Sequence, residues 1–453
     1  MRNSITHPRS LAAIALSACF FLYTFFHIKK FNETHFINYD SIIYYSYLPA
    51  AFIHHDLSLK FIDTDHHKYG MQYWPETASN GAYVNKMTCG LAILLLPFFF
   101  IGHLAAYLTG FEMNGYTLPY GISLYFGTIV YSVAGLWLLR KTLLQFFNDR
   151  ITALTILAIG VGTNLFFYTA IDAIVSHAYN FFLACAFLYL TFKWYAQPTL
   201  YRSILTGLTA GMIILLRPVN VLMILFFLLY DITSWKSFKA KLHFFVLHYN
   251  ECLIICLAAF IVFIPQFLYW KYNTGDWLYY SYGKEHFYFT KPHVLDGLFS
   301  YRKGWLLYTP IMALSIIGML LLKDKLRRFT LPVITMSAIT IYVTYCWWCW
   351  WYGGCFGGRS MIDYYPFLSI PLAALYEKSF RKTALLIPVC VFTLFFIYMN
   401  IFQSYQQRAF IIHYDSMTKK AYWDVFLKRS TWADRYDLKT PDYVNAYKGI
   451  YEY

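Results

Sequence analysis

Charge is what this chain has least of. Only 13% of its 453 residues are Asp, Glu, Lys or Arg, about half the share of an ordinary soluble domain. With 59% hydrophobic and 22% aromatic residues, a water-soluble fold of this length is excluded, because it could not hide so much apolar surface. Zinc-finger spacing is also missing: Cys346-x-x-Cys349 is followed by Cys355 but by no second Cys or His pair at the required distance. Most other cysteines (Cys19, Cys89, Cys185, Cys252, Cys256, Cys390) lie inside apolar runs, where a thiol packs as a small residue. No repeat of fixed period and no low-complexity tract occurs, which argues against solenoids. The net charge of +14 does not mark a nucleic-acid surface, because its Lys and Arg sit between apolar runs and not along one face.

What the chain does have is apolar runs of membrane-spanning length. They fall at about 10–28, 91–109, 119–139, 151–171, 176–195, 203–217, 219–235, 251–270, 304–322, 330–351, 361–376 and 383–402. Leu16-Ser17-Ala18-Cys19 imitates a lipoprotein cleavage box, but the apolar run continues through Phe20 and Phe21, so the first span is expected to stay uncleaved. Lys and Arg favour short cytoplasmic loops. Arg2 and Arg9 therefore put the N-terminus inside, and the clusters Arg140/Lys141/Arg150, Lys193/Arg202, Lys236/Lys239/Lys241, Lys323–Arg328 and Lys378–Lys382 belong on the same side. That parity fails if 91–109 crosses fully, and Pro97, Gly102 and His103 interrupt that run.

The expectation is an all-α polytopic membrane protein with about eleven transmembrane helices, plus a re-entrant or interfacial segment at 91–109. Residues 1–402 form the bundle, with outer loops at 29–118 and 271–303, and 403–453 a short polar extracytoplasmic tail carrying Asp415, Asp424, Asp434 and Asp437. Most His, Asp and Tyr outside the spans fall on the outer side, so chemistry is expected there.

Directly after the first span comes Asn38-Tyr39-Asp40-Ser41-Ile42-Ile43-Tyr44-Tyr45-Ser46-Tyr47-Leu48-Pro49, a carboxylate at the start of a Tyr-rich interfacial helix. Taken alone, Asp40 could simply cap that helix. The run resembles a bacterial branch of the GT-C superfamily of membrane glycosyltransferases, close to the family 39 and dolichyl-phosphate-mannose mannosyltransferase-like proteins. The resemblance extends over about 10–400 through Leu96-Pro97-Phe98-Phe99, Gly162-Thr163-Asn164-Leu165 with Tyr168, Ser176-His177, Arg217-Pro218, Lys303-Gly304-Trp305-Leu306-Leu307-Tyr308-Thr309-Pro310, and Gly357-Gly358-Arg359-Ser360 with Pro366. Many members carry a second acidic residue beside the first, where this chain has Ser41.

The resemblance implies a GT-C-like bundle in a bacterial inner membrane. It also implies an inverting hexosyl- or pentosyltransferase, taking a sugar from a polyprenyl-phosphate donor to a lipid, glycan or protein acceptor; no cofactor is expected, with a divalent metal as the alternative. Such transfer needs one base for the acceptor hydroxyl, while a phosphate leaves as a stable anion; a glycosidase would need two carboxyl groups. Asp40 is the expected base. Arg217, Arg359, Arg302 and Lys303, placed by topology at the outer boundary, are expected at the donor phosphate, with Tyr44, Tyr45, Asp172 and His177 at the acceptor pocket. Asp363, four residues after Arg359, is expected to pair with it on a helix. Trp347, Trp348, Trp350 and Trp351 read as an aromatic belt, and His54-His55-Asp56 with Asp63, Asp65, His66 and His67 as a loop cluster of metal-like composition without a required metal. A transporter or flippase of a lipid-linked intermediate is the rival reading; two related halves and ionisable residues within the spans would favour it.

Overall fold

The computed structural model describes residues 7–33, 36–64, 73–429, 438 and 442–451. All twelve apolar runs form helices, and five of these are long and apolar enough to cross a membrane: Pro8–Asn32, Gly90–Thr109, Leu118–Leu143, Tyr249–Thr274 and Thr383–Arg408. The protein is an all-α polytopic membrane protein. Among the described residues, strand is confined to a two-stranded pair, Glu76–Thr77 with Tyr83–Val84, in the first long loop.

Local chemistry sets the helix limits. Asn148, Thr199 and Ser234 each accept a backbone N–H at a helix start, which satisfies donors that no helical carbonyl can reach. Packing uses small residues. Gly207 and Gly211 of the Leu200–Leu216 helix lie against Ile255 and Ala259 of the Tyr249–Thr274 helix, so closely that a Cβ on Gly207 would sit 2.3 Å from the Ile255 carbonyl oxygen. Without a hydrophobic drive between helices in lipid, such backbone approach is what holds them together.

Two spans are broken where the functional side chains sit. The 151–171 run divides into Asp149–Gly162 and Leu165–Ala170. Asn400 donates at 2.8 Å to the carbonyls of both Val161 and Thr163, as backbone freed in a low-dielectric bundle requires. The 203–235 region breaks at Arg217, whose extended backbone leads into the Pro218–Met223 3₁₀ turn; Pro218 supplies no N–H to continue the helix.

Contacts gather every basic cluster at one end. Arg140 donates to Ser10 and to the His7 carbonyl, and Asp149 accepts the backbone N–H groups of Arg9 and Ser10. Lys325 reaches the Phe146 carbonyl and Glu377, which also meets Arg381. Arg327 reaches the Thr233 carbonyl, Lys241 sits 3.6 Å over the Tyr195 ring, and Arg202 donates to the Lys193 carbonyl.

The 91–109 run is one continuous 20-residue helix, Gly90–Thr109, and Pro97 does not break it into a hairpin. Hydroxyls of Tyr131 and Ser123 bond the Leu94 and Phe98 carbonyls on either side of the proline. Both ends nevertheless lie away from the basic end. Thr88 donates to the Leu215 carbonyl beside Arg217, and the Gly115 carbonyl accepts from Tyr45. Both contacts are made with segments outside the basic clusters.

The last segment is more than a tail. The final long helix runs to Arg408, and the described residues beyond it fold back: Gln403 bonds Tyr422, Gln406 bonds the Val425 carbonyl, and Tyr447 stacks on Trp348. Asp434 and Asp437 lie outside the described residues.

In a chain stripped of its native cysteines, Asn114→Cys and Ser237→Cys are expected to react with a membrane-impermeant maleimide from opposite sides of sealed vesicles. Reaction of both from one side would contradict this arrangement.

Candidate functional site

Asp40 is the first residue of the Asp40–Tyr45 helix, and the cap position falls on Tyr39 instead. The preceding Tyr39 has φ 48° and ψ −131°, a conformation that a bulky L-residue adopts only when its surroundings impose it. Ser41 through Tyr45 are all buried, so this short helix is anchored along its length. The Asp40 carboxylate instead accepts from Arg359 Nη2 at 2.7 Å. Burial opposes the charge of Arg359, but the Asp40 carboxylate together with Cys355 and Tyr168 outweighs it and holds the guanidinium above its ordinary range.

Arg359 and Asp363 do not pair, contrary to the helical expectation. Arg359–Tyr364 is a 3₁₀ turn, in which residues four apart point about 120° away from each other. Arg359 therefore turns to Asp40, while Asp363 faces the broken spans. There its buried carboxylate accepts from Arg217 at 3.0 Å, Asn220 at 2.8 Å and His177 Nδ1 at 3.0 Å. The same Nδ1 lies 3.2 Å from Arg217 Nη1, so it stands between a group that can only donate and one that can only accept. Tyr364 in turn donates to Asn220 at 2.9 Å.

These two ion pairs open on one cavity of about 520 Å³, whose wall includes Asp40, Tyr44, His177, Arg217, Tyr352 and Arg359. Arg217 also lies 5.9 Å from the Tyr352 ring. Tyr44 approaches Ser176 at 3.4 Å. A third ion pair at the cavity, Lys86 with Glu285, was not expected from sequence. Tyr282 stands between the two charged regions: burial pushes its phenol up, and the charges of Arg217, Glu285 and Asp40 all act on it.

The remaining expected residues lie elsewhere. Arg302 stacks 4.0 Å from the Trp351 ring and donates to the Asp415 carbonyl. Lys303 is buried against the carbonyls of Cys355 and His413, and burial pushes its ammonium down to about 8. Both cations serve the junction with the C-terminal segment because the 300–304 turn tucks beneath it. Asp172 forms an ion pair with Lys30, and Tyr45 donates to the Gly115 carbonyl at 2.6 Å; neither is in the cavity wall.

The tryptophans are not a belt. Trp348, Trp350 and Trp351 are buried in a cluster with Tyr345, and Trp347 and Trp348 contribute to the cavity wall. His54 stacks on Phe61 at 4.0 Å, and Asp56 accepts from Ser58 and Phe61. Among the described residues, no three His, Cys, Asp or Glu side chains converge as a metal site; Asp65, His66 and His67 lie outside those residues. Glu285, Lys86 and Tyr282 belong to long loops without periodicity. No signal in the sequence pairs them.

No family model matches the chain, and no curated protein matches it. Two solved structures of the oligosaccharyltransferase of Archaeoglobus fulgidus are similar to it. One, in complex with zinc and sulfate, has a TM-score of 0.47 and 13% identity over 91% of this chain and 54% of that one. The other, tethered to an acceptor peptide containing the NVT sequon, has a TM-score of 0.47 and 11% identity over 98% of this chain and 59% of that one. This chain thus spans somewhat over half the length of those structures.

Asp363→Asn would leave Arg217 buried without a counter-charge. A loss of about 3–5 kcal/mol is expected from breaking a buried pair on one side, read as a lowered melting temperature of the detergent-solubilised protein. Melting at the wild-type temperature would remove Asp363 from the centre of this network.

Proposed function

We propose that the protein is an inverting GT-C-type glycosyltransferase, moving a hexose or pentose from a polyprenyl-phosphate donor to a lipid, glycan or protein acceptor on the extracytoplasmic face of a bacterial inner membrane. The observation that carries this reading is a single cavity walled by the Asp40 carboxylate and the guanidinium groups of Arg217 and Arg359. Asp40 takes the proton of the acceptor hydroxyl as its oxygen forms a bond to the anomeric carbon. The bond from that carbon to the phosphate oxygen breaks on the opposite face, so the configuration inverts. The lipid phosphate leaves as an anion, stabilised by Arg217 and by the N–H groups of Arg359 not spent on Asp40.

Each guanidinium is held by a carboxylate, Arg217 by Asp363 and Arg359 by Asp40. This fixes the orientation of the donors before substrate arrives, which is where electrostatic catalysis gains most. His177 positions Arg217 through Asp363 and closes the acceptor side together with Tyr44. Arg302 and Lys303 have no part in the reaction.

Asp40→Asn is expected to keep the fold and the binding of donor while transfer from a radiolabelled polyprenyl-phosphate sugar falls about 10²- to 10⁴-fold, the usual contribution of a positioned base. Wild-type turnover in that variant would end the assignment. The positive charge in this reading comes from arginine, so transfer should also persist in EDTA. Activity lost in EDTA and regained with Mg²⁺ or Mn²⁺ would hand the phosphate to a metal.

A further inference from the structure

The Lys86–Glu285 ion pair of the cavity has no role in the transfer step. Lys86 and Glu285 come from different loops, and their side chains are each only 10% exposed. The loops do not need the pair to stay together: Ser281 donates to the Lys86 carbonyl at 2.6 Å, Tyr269 accepts from the Asn85 N–H at 2.9 Å, and Gln266 accepts from the Cys89 N–H at 2.8 Å. In the same wall the indole N–H groups of Trp270 and Trp348 are buried with no hydrogen-bond partner among the described residues. A buried donor without an acceptor is costly.

The charges decide which ligand. Lys86 is neutralised by Glu285, so this end of the cavity offers a phosphate no net attraction, and the carboxylate repels it. A prenyl chain would strip water from two ions and return no hydrogen bond. A polyhydroxylated ring, by contrast, has donors for the Glu285 carboxylate, acceptors for the Lys86 ammonium, and an apolar face for the Trp270 and Trp348 rings that line the cavity. Trp270 belongs to the Tyr249–Thr274 helix, whose most apolar window is only 17% buried, so this wall adjoins the lipid-facing side of the bundle.

We propose that Lys86, Glu285, Trp270 and Trp348 form the subsite for the sugar of the lipid-linked donor, with Glu285 reading its hydroxyl groups. This rests on the transferase reading above and adds what selects the sugar. Tryptophan fluorescence on the full chain in nanodiscs, titrated with polyprenyl phosphate either bare or carrying glucose, mannose or arabinose, tests it without any turnover. The wild-type protein is expected to bind at least one sugar-bearing lipid roughly tenfold or more above the bare lipid, the scale of hydrogen bonds to a charged group. Glu285→Gln should abolish that preference without weakening the affinity for bare polyprenyl phosphate, since it removes a negative charge beside Lys86.

Because a lone substitution exposes Lys86 to a folding defect, the exchanged pair Lys86→Glu with Glu285→Lys is the second arm. It should restore the melting temperature without restoring sugar preference. The proposal is overturned if the wild-type protein shows no preference, if Glu285→Gln retains it, or if the exchanged pair recovers it together with stability. Sugar preference behaving as expected in a wild-type protein that transfers nothing would uphold the subsite and end the transferase reading.

Discussion

The site depends on one buried carboxylate. Asp363 is fully enclosed and receives Arg217, Asn220, His177 and Asn180, four residues from two different segments of the chain. A buried charge is tolerable only when it is paired and its lone pairs are filled. This requirement draws the start of the Ser176–Ala196 helix, the break at Arg217 and the 3₁₀ turn at 359–364 to one point. The same turn carries Arg359 one step earlier and so delivers it to Asp40.

Irregular backbone is the second condition. A bundle of unbroken helices would present only side chains and no sharp changes of direction. Here the interruptions at Thr163 and Arg217 place polar groups in the apolar interior, and Asn400 satisfies the carbonyls released at the first of them. Tyr365 and the Phe356 carbonyl engage Asn164 in the same gap. Motif residues that look like scattered polar positions along the spans are therefore the hydrogen-bond partners of broken backbone.

Loops complete the cavity that the helices begin. Lys86 and Glu285 approach from opposite long loops, Tyr282 lies between them and the arginines, and Tyr447 of the C-terminal segment covers Trp348. Arg302 and Lys303 hold that segment in place through the Asp415 and His413 carbonyls. Cations that seem interchangeable by position thus divide into two groups, one facing the cavity and one fastening its cover.

The sequence by itself determined the class of fold, because apolar length and basic clustering answer to the thickness and charge preference of a bilayer, which are independent of tertiary detail. All twelve runs became helices, and Asp40, Arg217 and Arg359 were legible as a carboxylate and two arginines bordering apolar spans. Only the tertiary structure decided who pairs with whom. Arg359 meets Asp40 across 319 residues, and Asp363 leaves its neighbour because a 3₁₀ turn rotates it further than an α-helix would. Arg302, Lys303, Asp172 and Tyr45 sat close enough to the motifs to be grouped with the site, yet loop folding turned them to other partners. Trp348, Trp350 and Trp351 have the composition of an interfacial belt but are buried, since composition records affinity for a boundary and not which surface supplies it.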